Sequence, residues 1–153
     1  MADLIFRRAV EKDIPAIIAM LADDILGASR ETTDPEGHSK YSTAFRAIDG
    51  DANQFLLVVE DGIQIVGTLQ LTFIAGLSQG GQKRGLIEAV RVARDRRGEK
   101  IGEAMIAWSL EKCRRGQCGI VQLTTDKSRK DAHRFYDRLG FKPSHIGYKM
   151  RLE

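Results

Sequence analysis

The chain has 153 residues, 42% of them apolar and 29% charged, within the usual size of one globular domain with a buried core; one domain spanning 1–153 is expected. No apolar run approaches the roughly 20 residues that span a bilayer, and the start M-A-D-L-I-F-R-R lacks the charged-then-apolar layout of a secretory signal, so a cytoplasmic protein without a membrane partner is expected. A net charge of +3 is a mild excess, and Cys113 and Cys118 with scattered His38, His133 and His145 are too few for a disulfide framework or a metal cluster, so no metal is expected.

In chain order, Leu4 to Ala9 reads as a short strand. Asp13 and Pro15 then announce a helix whose Ile14, Ile17, Ile18, Leu21 and Ile25 share one face. Residues 27 to 38 are turn-rich and polar, and Tyr41, Phe45 and Ile48 follow on a second, shorter helix. Phe55 to Val59, the pair Asp61-Gly62 and Ile63 to Ile74 give the strongest hairpin signal. Leu69, Leu71 and Phe73 alternate with Thr68, Gln70 and Thr72, which predicts one buried and one polar sheet face. Ala75 to Lys83 is a glycine-rich loop, and Leu86 to Ala93 the next strand. Ile101, Met105 and Trp108 mark a helix closed by Gly116 and Gly119, with Trp108 in the core. Ile120 to Thr124 is β-rich, Ala132, Phe135, Tyr136 and Leu139 mark a last helix ended by Gly140, and Phe141 to Leu152 offers one or two closing strands. The order β-α-α-β-β-β-α-β-α-β predicts an α/β fold with a mixed sheet and helices on both faces.

The segment Val92 to Gly102, V-A-R-D-R-R-G-E-K-I-G, is the most informative. Four basic residues and two glycines lie between a strand and a helix beginning near Glu99. The first N–H groups of a helix have no partner within it, the macrodipole adds partial positive charge, and Gly98 lets a ligand approach bare backbone. This pattern predicts a phosphorylated ligand at the strand end. Basic residues also gather at Lys112 to Arg115 and Lys127 to Arg138; these read as solvated helix faces or as contacts to a polyanion. Nucleic acid ranks last as a partner, because no aromatic stacking ladder accompanies the charge.

Two motifs then resemble those of the GCN5-related N-acetyltransferases (GNAT). The family's cofactor motif, V-x-P-x-x-R/Q-x-x-G-x-G/A, is matched in register by Val92, Arg97 and Gly102, with Arg94 where proline is common and Lys100 where the middle glycine is usual. The block D-A-H-R-F-Y-D-R-L-G-F, from Asp131 to Phe141, is similar to the family's A-x-x-F-Y-x-x-x-G-F signature. Arg129 stands where many members carry an asparagine that contacts the cofactor arm. The resemblance implies a mostly antiparallel GNAT-like sheet and acyl transfer from acetyl-CoA, as cosubstrate, to an amine.

Under that resemblance, the N–H groups of Arg97, Gly98, Glu99, Lys100, Ile101 and Gly102 form the pyrophosphate cradle. The backbone of Val90, Arg91 and Val92 runs along the pantetheine, and a backbone N–H near Val92 polarises the thioester carbonyl. Tyr136 takes the family's general-acid position at the leaving thiolate; the other reading is a core tyrosine beside Phe135. Glu88, placed by the period of two on the face of Val90 and Val92, is the candidate base, against a salt-bridged or exposed glutamate. His133 and Asp131 read as helix-start residues. Asp23, Asp24 and Glu31 are read either as attracting a cationic amine or as solvent-facing charges.

The expected partner is an amine-bearing small molecule or peptide, and a homodimer is left open because such pairs are common among relatives. The alternative to an enzyme is a non-catalytic acyl-CoA-binding or regulatory module of the same fold.

Overall fold

The computed structural model describes residues 3–24, 26–32 and 34–153; Ile25, counted above on the first helical face, lies outside the described residues. The chain divides into two compact units, residues 1–122 and 123–153.

The first unit is built on a five-stranded sheet in the order β1-β2-β3-β4-β5. Its strands are β1 (Ile5–Arg8), β2 (Gln54–Asp61), β3 (Gln64–Ile74), β4 (Arg84–Val92) and β5 (Ile120–Gln122). The first four pair antiparallel, and β5 joins β4 in parallel. The β2–β3 hairpin turns at Gly62, whose φ of +62° is the conformation that the Asp-Gly pair predicts. Its helices are α1 (Ile14–Ala22), α2 (Pro35–Asp49), the single turn α3 (Ser78–Gly81) and α4 (Ile101–Arg115).

Register assigns each helix a side. Side chains directly opposite across a ladder share a face. Phe6 pairs with Val59, and Val59 with Gly67. That face meets α4: Trp108 stacks on Phe6 with centroids 6.3 Å apart and tilts against Phe55 at 5.1 Å, and Gly67 gives room to Met105. The opposite face carries Leu56 and Val58, which join Ile14, Ile17 and Ile18 of α1 and Phe45 of α2 in one cluster. Leu57, Val58, Val59, Val66, Leu69, Leu71, Ile87, Met105 and Ile106 are sealed from solvent. Burying each such side chain stabilises the fold by about 1.5–3 kcal/mol before entropy is counted.

Helices on both faces explain one departure from the sequence reading. Thr68 does not face water: it is buried, and its Oγ1 donates to the Leu57 carbonyl at 2.8 Å. An alternating strand marks two faces, but whether the polar one is covered depends on distant helices. A second departure is the start of α2, which begins at Pro35 within the segment read as turn-rich; proline at the first helical position lacks an N–H that the helix would leave unmet anyway.

In the second unit, α5 (Lys130–Arg138) ends before Gly140, whose φ is +93°. Asp126 organises its approach, its Oδ1 accepting from Ser128 N–H at 2.9 Å and from Ser128 Oγ at 2.6 Å. The closing strands expected between Phe141 and Leu152 are not among the elements of the structure. Ile146, Tyr148, Met150 and Leu152 keep strand spacing, but spacing marks a segment able to pair and cannot supply the neighbouring edge.

Candidate functional site

The site is built around an irregularity in β4. On β3, Thr68 and Gln70 are separated by one residue, whereas their partners Arg91 and Glu88 are separated by two. The extra residue makes a β-bulge, and left-handed backbone appears there at Ala89, with φ +53°.

 

The bulge has a consequence for which way the side chains point. Glu88 opposes Gln70 and Arg91 opposes Thr68, both on the α1/α2 side, while Val92 opposes Gly67 on the α4 side. Glu88 therefore shares a face with Arg91 and not with Val92, a correction to the sequence reading, because strict alternation fails across an inserted residue. Glu88 itself is exposed. Pairing of β4 with β5 ends at Leu86–Gln122, so the stretch Ile87 to Val92 has no β5 partner among the described residues.

Below the bulge lies an apolar cavity of about 120 Å³, bounded by Ile14, Ile17 and Leu21 of α1, Tyr41 and Phe45 of α2, and Gln70 and Ala89 of the sheet. The Tyr41 hydroxyl donates to Glu31 Oε2 at 2.7 Å and accepts from the Thr32 N–H at 3.0 Å. Burial, followed by the Glu31 carboxylate, holds the Tyr41 phenol above its ordinary range.

After Val92 the chain makes a 3-10 turn at Arg94–Arg96 and then two left-handed steps, Gly98 at φ +85° and Lys100 at φ +64°. A Cβ at Gly98 would meet nothing within 4 Å, so glycine serves conformation there and not space. Lys100 adopts a backbone that costs a side-chain-bearing residue roughly 1–2 kcal/mol. No side chain caps α4, and its first internal bond runs from Ala104 N–H to the Lys100 carbonyl at 3.0 Å. The N–H groups of Ile101, Gly102 and Glu103 thus point out of the helix start, two residues later than the sequence reading put it.

The arginines around this turn divide by partner. Arg96 bridges Asp61 at 2.7 Å and Glu99 at 2.8 Å, tying the turn to the β2–β3 hairpin. Arg91 pairs with Asp24 at 3.3 Å and donates from Nη1 to the Val90 carbonyl at 2.9 Å. Arg94 pairs with Asp23 at 2.6 Å, and Arg97 reaches the same carboxylate at 3.5 Å while its Nε donates to the Val92 carbonyl at 3.4 Å. Asp23, Asp24 and Glu31 are accordingly engaged by protein groups. No local signal foretells it: Asp23 and Arg97 are 74 residues apart.

In the second unit, Tyr136 and Arg129 share the segment of α5. Tyr136 is half-buried between Phe135 and Phe141, meeting both rings edge-on at 5.1 and 5.8 Å. Arg129 occupies the N-cap position of α5 and helps line a concavity with Ser128, Lys130, Asp131 and Ala132. His133 Nε2 lies 2.9 Å from the Asp126 carbonyl and Asp131 pairs with Arg134, so both hold the helix start. Among the described residues, no group of three or more His, Cys, Asp or Glu side chains is arranged to hold a metal ion. No helix among them is long and apolar enough to cross a membrane.

Residues 21–141 match the Acetyltransferase (GNAT) family. The chain belongs to that family. A GNAT member of this kind has its sheet and helices in common with solved structures over nearly its whole length. One, described as a transcriptional regulator from Bacillus halodurans C-125, is 43% identical, with a TM-score of 0.94 over 98% of this chain and 100% of the other. Another, a predicted acetyltransferase with acetyl-CoA from Clostridium acetobutylicum, is 16% identical with a TM-score of 0.74 over 97% and 96% of the two chains, a likeness of fold alone. An aminoalkylphosphonate N-acetyltransferase of Salmonella typhimurium (strain LT2) is 40% identical over 68 residues, 44% of each chain. The GNAT chain thus aligns with less than half the length of that curated relative.

Proposed function

We propose that the chain is one N-acetyltransferase domain, 1–153, that moves the acetyl group of acetyl-CoA to a primary amine by direct attack in a ternary complex. The observation that carries this reading is the turn from β4 into α4: two left-handed residues, an uncapped 15-residue helix and flanking arginines form a donor set suited to a diphosphate.

In this reading the N–H groups from Arg97 to Gly102 and the side chain of Arg97 hold the pyrophosphate. Arg129 contributes a contact from α5. The backbone of Val90, Arg91 and Val92 pairs with the pantetheine amides as an added strand would. When bound, acetyl-CoA supplies an acetyl group already activated as a thioester. The N–H near Val92 polarises the carbonyl, Glu88 takes a proton from the incoming ammonium directly or through water, and Tyr136 gives one to the departing thiolate.

The name of the Salmonella relative makes aminoalkylphosphonates the first acceptor class to test. The experiment is release of free CoA thiol with acetyl-CoA and a panel of 2-aminoethylphosphonate, simple alkylamines, a peptide N-terminus and a lysine side chain. Thiol release that depends on an amine is the expected result. The description of the Bacillus halodurans structure favours a second reading, a regulatory acyl-CoA-binding module. That module would show CoA-dependent thermal stabilisation with no thiol released by any amine.

A further inference from the structure

We propose that Asp23 is an internal counter-ion that competes with the cofactor's phosphates for Arg94 and Arg97, so that cofactor binding unlatches the segment following α1. The inference rests on the reading of the β4–α4 turn as the phosphate site.

Asp23 caps the C-terminal end of α1, and its carboxylate is the shared partner of two arginines from that turn. Arg94 Nη2 lies 2.6 Å from Oδ1, and Arg97 Nη2 lies 3.5 Å from Oδ2 and 3.5 Å from the Asp23 main-chain oxygen. The Arg94 and Arg97 side chains are 73% and 50% exposed. Exposed ion pairs of this sort shift an equilibrium by about fivefold at most, so they are strong enough to bias the segment and weak enough to yield. A diphosphate offers the same guanidinium groups more charge and more acceptor oxygens than one carboxylate.

The neighbouring pair behaves differently. Arg91 is only 14% exposed, and Asp24 also accepts from the Gly27 N–H. That contact stays closed while Asp23 exchanges, making it the hinge about which residues 26–31 move. This segment carries Glu31, the partner of Tyr41 at the apolar cavity. Occupancy of the phosphate site is thereby transmitted to the cavity wall.

The test titrates CoA and pantetheine into the full-length wild type, Asp23→Asn and Asp23→Glu by calorimetry, with thermal melts to verify folding; Asp23→Ser replaces Asp23→Asn if the latter does not fold. Loss of the competing charge should tighten CoA about threefold, with Asp23→Glu close to wild type and pantetheine, which carries no phosphate, the same for all. Hydrogen exchange supplies a readout that a merely structural residue would not move. Saturating CoA should speed exchange at the Arg30, Glu31 and Thr32 amides in wild type, and Asp23→Asn should show that faster exchange without CoA. Unchanged or weaker CoA binding by Asp23→Asn overturns the counter-ion role, and slower or unaltered exchange in wild type with CoA overturns the unlatching. A wild type that binds no CoA refutes the phosphate site itself, a failure distinct from either.

Discussion

Arg7 clasps Asp13 with both terminal nitrogens, Nη1 to Oδ2 at 2.7 Å and Nη2 to Oδ1 at 3.0 Å, which fastens β1 to the start of α1. Asp13 Oδ2 also accepts from the Val10 N–H at 2.8 Å, and the residue is 5% exposed. The bond from Arg7, and then that from Val10, hold its carboxyl below the ordinary value of 3.8 against the opposing effect of burial. Asp13→Asn is expected to lower stability at pH 7 by about 1.5–3 kcal/mol in urea unfolding, the range for hydrogen bonds to charged groups. A depressed folded-state value means the contribution is complete above the unfolded-state value and is lost as pH falls through the folded one. Wild type should therefore lose stability below about pH 4, and Asp13→Asn should lose less over the same range.

Lys100→Gly separates conformation from charge. Glycine adopts φ +64° without the side-chain clash, so the variant should be more stable by up to about 1 kcal/mol, a rise in Tm of roughly 2–4 °C. The lost ammonium should weaken acetyl-CoA binding about two- to fivefold. An unchanged dissociation constant would show that the lysine contributes nothing measurable to cofactor binding.

Gly85 lies where an added Cβ would come 2.4 Å from Cys113 Sγ. Burial, with the neighbouring Cys118, pushes the Cys113 thiol up to about 12, so it behaves as an apolar filler of the α4–sheet seam. Gly85→Ala should cost about 1–3 kcal/mol by overpacking. Adding Cys113→Ala should recover part of that loss, and a double-mutant cycle that is simply additive would show the two positions do not share the space.

Tyr136→Phe keeps both edge-on ring contacts and removes only the hydroxyl. If the hydroxyl is the acid, turnover at saturating acetyl-CoA should fall about 10²-fold while the Tm hardly moves. Full turnover would leave Tyr136 as part of an aromatic cluster and nothing more.

For Glu88→Gln the informative measurement is the pH dependence of kcat/KM. A base on β4 gives wild type an acidic limb that the variant lacks. Persistence of that limb would assign the proton transfer to another group or to water.

Much of this was legible before any coordinates. The Asp-Gly hairpin, the Pro15 helix start, Gly98 and the Phe135-Tyr136 pair are local chemistry, and local chemistry is written in consecutive residues. Ala89 is different: alanine carries no hint of left-handed backbone, and the bulge follows from how β3 and β4 align. The embrace of Asp23 by Arg94 and Arg97 is also a tertiary fact, and the burial of Thr68 depends on α1 and α2 arriving above it. The site was thus readable as a list of groups, whereas their pairing and the face on which each stands required the fold.

The single additional residue in β4 sets the phase of everything that follows it. Were that residue instead taken up in regular pairing, with Val90 opposite Thr68 and Arg91 opposite Gly67, Arg91 would turn toward the layer that now receives Val92, and the valine toward Asp24. Flattening the bulge would bury a guanidinium beneath α4 and strand a carboxylate opposite it, so the bulge at Ala89 constrains this strand more tightly than the identity of most of its side chains.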